Sequence, residues 1–290
     1  MIEVRALEPS PASLKEVQEL LNDVFPKAHY LTDSYLDWCY YRNPVGPAVV
    51  VNAYMEDRLV GHLAGQPIRA RVEDEEELGL LAIHNAVRAG YLRGKVYATL
   101  GDHFIPKAVA AGYRFVIGFT NAASTRFIAR KRPEKHFFND FTVVASLDAK
   151  IGMGSVPTGG SRTEAQFARV WDKKTLGWRL ARPGARYRMR SKNGQCILYA
   201  VTDLPGIAVE LGRFSSEAAD FELPEPSRLS PGRLWIGLDA TRDWSRYAYM
   251  NLPRRLRPSP LTLVFSDLSG RGRKLDVDRV HVEAIDLDAF

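Results

Sequence analysis

Apolar and polar positions along the first 150 residues switch repeatedly between a spacing of two and a spacing near 3.6, the signature of strands alternating with helices. Ile2 to Leu7 is short and apolar and reads as a strand. Leu14, Val17, Leu20, Leu21 and Val24 then form one stripe of an amphipathic helix, opened by Ser13-x-x-Glu16 as a capping box and stopped near Pro26. A second helix is predicted from Thr32 or Asp33 to just before Asn43-Pro44, presenting Tyr35, Trp38 and either Tyr41 or Arg42. Ala48 to Tyr54 and Leu59 to Gly65 read as a hairpin around Met55-Glu56-Asp57-Arg58. A strand from Gly79 to Val87 precedes a helix from Arg93 to Ala111, which Gly112 terminates. Tyr113 to Phe119 is continuously apolar and reads as a buried strand, Ala122 to Lys131 as a short helix, and Phe137 to Leu147 as a returning strand.

Lys150 to Arg162 is rich in Gly, Pro and Ser and is the best linker in the chain. Beyond it, Leu176-Gly-Trp178-Arg-Leu-Ala-Arg182-Pro is similar to Leu36-Asp-Trp38-Cys-Tyr-Tyr-Arg42-Asn-Pro, and each stretch precedes two apolar runs arranged like a hairpin. The second hairpin turns at Asn193-Gly194, a strong hairpin signal. The spacing of Trp38 and Trp178, close to half the chain, predicts an internal duplication: one unit over residues 1–149, a linker over 150–162 and a second unit over 163–290.

Composition narrows the class. With 46% hydrophobic and 26% charged residues the chain must pack a globular core, and disordered, collagen-like and coiled-coil classes are excluded. Its apolar runs fall far short of a membrane span, and its opening residues look like a strand, so a cytoplasmic protein is expected, with no membrane partner. Cys39 and Cys196 stand in no ligand or redox spacing, so no metal is expected. The net charge of +6 lies wholly in the second half: residues 1–150 hold 18 basic and 18 acidic side chains, residues 151–290 hold 22 and 16. Alternation puts Arg186, Arg188 and Arg190 on one strand face, where they form either a solvated surface or an anion site for phosphate or carboxylate groups. No helix-turn-helix, zinc finger or RNA-binding aromatic motif accompanies the charge, so nucleic acid is not the favoured partner.

The chemistry-bearing segment runs from Gly79 through His84, Val87, Tyr91, Arg93-Gly94-Lys95-Val96 and Tyr97 to Leu100, followed by Tyr113 to Asn121. A strand entering a short turn and then a helix aims unpaired backbone N–H groups and the positive end of the helix dipole at one place, which suits a diphosphate. These words and this order resemble the GCN5-related N-acetyltransferases (GNAT), in particular members with a degenerate second GNAT half. The resemblance covers residues 1–148 directly and the remainder through the repeat. It implies an α/β (α+β) fold of two tandem units, each a mixed, mostly antiparallel sheet flanked by helices. It also implies transfer of an acyl group from an acyl-CoA or carrier-protein thioester to an amine such as an aminosugar or amino acid. Donor binding then falls to Val87, Arg93, Gly94, Lys95, Val96 and Asn121, and an acidic carrier protein becomes a candidate partner for the three arginines. Three turn positions depart from the family pattern: Leu92, Lys95 and Tyr97 stand where it has Arg or Gln, Gly, and Gly or Ala, so weak acyl-CoA binding is expected. His84 serves either as the general base beside the thioester or as a core histidine, and Tyr91 is the candidate acid. The competing reading is a catalytically inactive binding or scaffolding protein built on the same fold.

Overall fold

A computed structural model describes residues 2–7, 10–91, 93–131, 136–138, 141–147, 165–192, 194–225, 232–239, 249–253, 257 and 262–287. The expected linker, 150–162, lies outside them. The first half runs β1 (Glu3–Ala6), α1 (Pro11–Val24), α2 (Asp33–Tyr41), β2 (Val49–Met55), β3 (Arg58–Val72), β4 (Glu75–Val87), α3 (Arg93–Ala110), β5 (Phe115–Thr120), α4 (Ala122–Lys131), β6 (His136–Phe138) and β7 (Thr142–Leu147). β1 to β4 pair antiparallel in sequence order, and β4 pairs parallel with β5.

α1 begins three residues before the predicted capping box. Ser10 is the N-cap and Ser13 closes the reciprocal bond, because Pro11, with no N–H to lose, suits the first helical position. α2 matches its expected span: Thr32 caps it, and Tyr35, Leu36, Trp38, Cys39 and Tyr40 are buried. Gly112, at φ +86°, ends the α3 region as expected. β3 and β4 are longer than their apolar runs suggested. Glu75, Glu76 and Glu77 belong to β4 and pair with Arg271, Arg69 and Arg273. Phe137 to Leu147, read as one strand, is two: β6 pairs with β14 (Thr262–Asp267), and β7 pairs with β12 (Gly232–Leu238) and β13 (Tyr249–Asn251).

The second half continues with β8 (Phe167–Arg169), α5 (Lys173–Leu180), β9 (Tyr187–Lys192), β10 (Gln195–Val201) and β11 (Ile207–Ser215), and ends with β15 (Val280–Glu283). β9, β10 and β11 pair antiparallel and β11 pairs parallel with β12, repeating the β2-β3-β4-β5 pattern. The halves exchange strands: β14 lies between β5 and β6, while β7 sits against β12. Fifteen strands therefore form one hydrogen-bonded system. The exchanged β14 is fixed by a buried ion cluster in which Arg273 donates to Asp267 at 2.9 Å and Glu77 at 2.8 Å.

Trp38 and Trp178 sit at the same place on α2 and α5, each helix capped six residues earlier by Thr32 or Asp172. Their rings stack at 4.7 Å and 12°. Each indole N–H donates to the other tryptophan's carbonyl, at 2.9 and 3.3 Å. Such mutual contact, residue i on j and j on i, is what a local two-fold axis produces. The repeat read from the two tryptophans thus corresponds to two α/β units meeting about a pseudo-dyad. They are not equivalent throughout. β4 and β5 are joined by residues 88–114, which hold α3, whereas β11 and β12 are joined by the shorter stretch 216–231, and its described residues 216–225 contain no helix.

α3 lies against one face of the first sheet through two glycines of β3. A Cβ at Gly61 would stand 2.5 Å from Val96 Cγ1, and one at Gly65 would stand 2.6 Å from Phe104 Cζ. The opposite face packs on α1, α2 and the second half in one continuous core. Among the described residues no helix is long and apolar enough to cross a membrane, and no group of His, Cys, Asp and Glu is placed to hold a metal ion.

Candidate active site

The hydrogen bonding of β4 to β5 stops at Ala82 and Gly118, although both strands run on, and at this point β4 carries a bulge. The register with β3 passes from Ala64↔Ile83 to His62↔Ala86, so two residues of β4, His84 and Asn85, oppose one residue of β3. His84 has φ +51°. The other non-glycine residues at positive φ among those described, Glu56, Asp57 and Glu73, are in hairpin turns. A left-handed histidine inside a strand stores about 1–3 kcal/mol of strain, which persists only where surrounding contacts impose it.

Those contacts are polar. His84 Nδ1 lies 2.9 Å from the Tyr40 hydroxyl and its Nε2 lies 3.3 Å from the Tyr35 hydroxyl. Tyr40 also meets His62 Nε2 at 2.8 Å, and His62 Nδ1 meets Asn52 Oδ1 at 2.7 Å. Tyr35, Tyr40, Asn52 and His62 are fully buried or nearly so, whereas His84 is half-buried. Burial, reinforced by the neighbouring His84, pushes His62 down to about 3, so it is neutral at physiological pH. The segment after α5 contributes from across the pseudo-dyad: the Arg182 guanidinium lies 5.2 Å from the centres of both the Tyr30 and Tyr35 rings.

After β4 the chain passes through residues 88–91 toward α3, which begins at Arg93. Arg88 is anchored by its backbone N–H to Val60 at 2.9 Å and by its guanidinium to Asp23. Gly90, at φ +85°, has nothing near its would-be Cβ, leaving the turn open on that side. Lys95 is exposed, but Val96 is fully buried against Gly61, so its side chain serves the sheet. Tyr91 packs half-buried on the α3 side. Val87 pairs with Gly61 on β3, four residues from the turn's Tyr91. Asn121 follows β5, where its side chain accepts from Ser124 N–H at 2.9 Å and caps α4. His84, Val87, Tyr91, Gly94, Lys95 and Val96 thus lie along the end of β4 and the start of α3. The side chain of Arg93 lies outside the described residues.

Arg186, Arg188 and Arg190 are elsewhere. Arg188 and Arg190 are on β9, at the far end of the strand order from β4, with six strands between, and Arg186 immediately precedes β9. The arginine strip is therefore not a wall of the His84 site.

Sequence reasoning reached His84 but passed over Tyr35, Tyr40, Asn52, His62 and Arg182 as site residues. Asn52 and His62 interrupt otherwise apolar strands at core positions, a signal of buried polarity that was available. Nothing local marks Arg182 as a contact of Tyr35.

No sequence-family model and no curated protein sequence matches the chain. Solved structures do match in fold. A conserved protein of unknown function from Enterococcus faecalis V583, described as a probable N-acyltransferase, is 10% identical with a TM-score of 0.59 over 94% of this chain and 74% of its own. A GCN5-related N-acetyltransferase from Kribbella flavida is 11% identical, also at 0.59, over 93% and 72%. Eis1 from Mycobacterium abscessus is 10% identical at 0.53, over 81% and 65%. Parallel strands that part at a bulge, a turn and helix after the first of them, and likeness to these structures along almost the whole chain lead to one conclusion: the chain has the fold of the GCN5-related N-acetyltransferases.

Proposed function

We propose that the protein is an N-acyltransferase that uses the first half as its catalytic unit, moving an acyl group from a CoA thioester to a small-molecule amine. The observation that carries this reading is the left-handed His84 on the β4 bulge, where β4 and β5 part, held by Tyr35 and Tyr40. The donor's diphosphate would lie against residues 88–91 and the first turn of α3, with Arg93, Gly94 and Lys95 supplying charge and N–H groups. Its thioester would enter between β4 and β5, with the Val87 N–H opposite the carbonyl oxygen. A neutral amine attacks the thioester carbon, its proton passes by way of the Tyr35 hydroxyl to His84 Nε2, and the N–C bond forms as the C–S bond breaks. The departing thiolate takes a proton from Tyr91 or from water.

The second half keeps the parallel pair but shows no helix in the described part of its crossover, which fits a supporting unit. Its direct contribution is Arg182 on the tyrosine that meets His84. The acceptor is an amine by fold likeness. Carrier-protein recognition by Arg186, Arg188 and Arg190 is a separate possibility, because that strip is remote from His84.

Release of free thiol from acetyl-CoA, followed with a panel of primary amines that includes aminosugars and amino acids, tests the reading. Amine-dependent release above the buffer rate is expected for at least one acceptor. Complete absence of release across the panel, with the protein folded and donor present at millimolar concentration, would favour the non-catalytic scaffold instead.

A further inference from the structure

The hydrogen bonds around His84 form a chain whose direction chemistry dictates. Asn52 presents its Oδ1 to His62 Nδ1 at 2.7 Å. Oδ1 can only accept, so neutral His62 carries its proton on Nδ1 and its Nε2 must accept from Tyr40. Having given away its one proton, Tyr40 accepts from His84 Nδ1. Every donor along the chain points the same way, and neutral His84 is left with its proton on Nδ1 and its lone pair on Nε2, facing Tyr35.

The geometry points to Asn52, His62 and Tyr40 as positioning residues that hold His84 in the Nδ1–H tautomer, so that Nε2 is the base. This rests on the reading of His84 as the base in acyl transfer. The chain orients and stabilises charge; it is not a proton wire, because the Asn52 amide does not readily pass a proton on. When Nε2 takes the amine's proton, the imidazolium is supported by the Tyr40 oxygen, which His62 and Asn52 hold in place.

Tyr40, Asn52 and His62 are buried, and burying them costs desolvation that only a connected network offsets. In the second half the tryptophan alignment places Leu180 at the position of Tyr40.

Nitrogen-15 side-chain NMR of the full chain at pH 7.5 reads the tautomer directly, since protonated and bare ring nitrogens resonate far apart. In the wild type, His84 is expected to show a protonated Nδ1 and a bare Nε2. In His62→Leu, Tyr40 loses its acceptor and turns its proton to His84, so the tautomer shifts to Nε2–H. The same variant should lose about tenfold in kcat with the donor KM unchanged, and His62→Gln, which keeps one donor and one acceptor, should restore it. A wild-type His84 protonated on Nε2, or a tautomer that His62→Leu leaves alone, would overturn the proposal. The wild-type spectrum decides without any variant. Loss of the base reading has a different signature: correct tautomers together with full acyl transfer by His84→Gln.

Discussion

Replacing His84 by Gln should lower kcat/KM for acyl transfer by a factor of about 10²–10⁴, the usual worth of a positioned general base. Glutamine retains a donor for the Tyr40 oxygen and similar bulk, so the polar contacts at the bulge are largely kept, but it cannot take a proton at neutral pH. The loss should fall on kcat, with acyl-CoA affinity within about twofold of the wild type, because the ring meets Tyr35 and Tyr40 and not the diphosphate turn. The pH profile sharpens the result. Wild-type rate should level off once His84 is neutral, whereas the variant's rate should keep rising with pH as the amine supplies its own deprotonated form. A variant within threefold of the wild type, with the same profile, would remove His84 from the chemistry.

The second large effect is on stability. Between pH 6.5 and pH 4.5 the folded protein is expected to lose about 2 kcal/mol through His62 alone. Burial holds the folded His62 near 3 against an ordinary value of 6.5, so in this window the unfolded chain binds a proton that the folded chain does not. Stability consequently rises with pH: this contribution is fully present above about 6.5 and drains away as the pH falls toward 3. Asp267 acts in a lower window. Burial alone would raise its carboxyl, but bonds from the Ser269 hydroxyl, from backbone N–H groups and from Arg273 outweigh that and hold it near 2, so its contribution is lost only below its usual 3.8. Denaturant unfolding of wild type and His62→Leu at a series of pH values separates the two. The curves should diverge as the pH rises from 4.5 to 6.5, the variant's being flatter by about 1 kcal/mol per pH unit. Parallel curves in that window would show that His62 is not held neutral.

What the sequence made legible was what local rules decide. The apolar stripe and Thr32 cap of α2, the turn at Glu56-Asp57 and the Gly112 stop all survive in the structure because each is set within a few residues. The start of α1 was misplaced because two serine-based caps compete there, and proline at the first helical position decides between them. Strand partners were not legible. Nothing within Phe137 to Leu147 reveals that β6 and β7 part to join different neighbours, since pairing is chosen by strands more than a hundred residues away. Nor does an acidic run announce three arginine partners from other parts of the chain. At the site, His84 stood out as a titratable residue at the end of an apolar strand, but the bulge that turns it has no compositional mark. Its partners come from α2, β2 and β3, and only the packed sheet brings them together.

The central claim is that an acyl-CoA donor lies between β4 and β5 with its diphosphate on the turn into α3. Titration of the labelled full chain with acetyl-CoA, followed by backbone amide NMR, tests it most directly. Because Lys95 and Tyr97 replace small residues of the family turn, saturation is expected nearer millimolar than micromolar donor, about −4 against −8 kcal/mol. The shifted amides should cluster from Ala86 to Tyr97 and from Phe119 to Asn121, with Arg186 to Arg190 unmoved. Shifts confined to the arginine strip, or no shifts at ten millimolar donor, would contradict it.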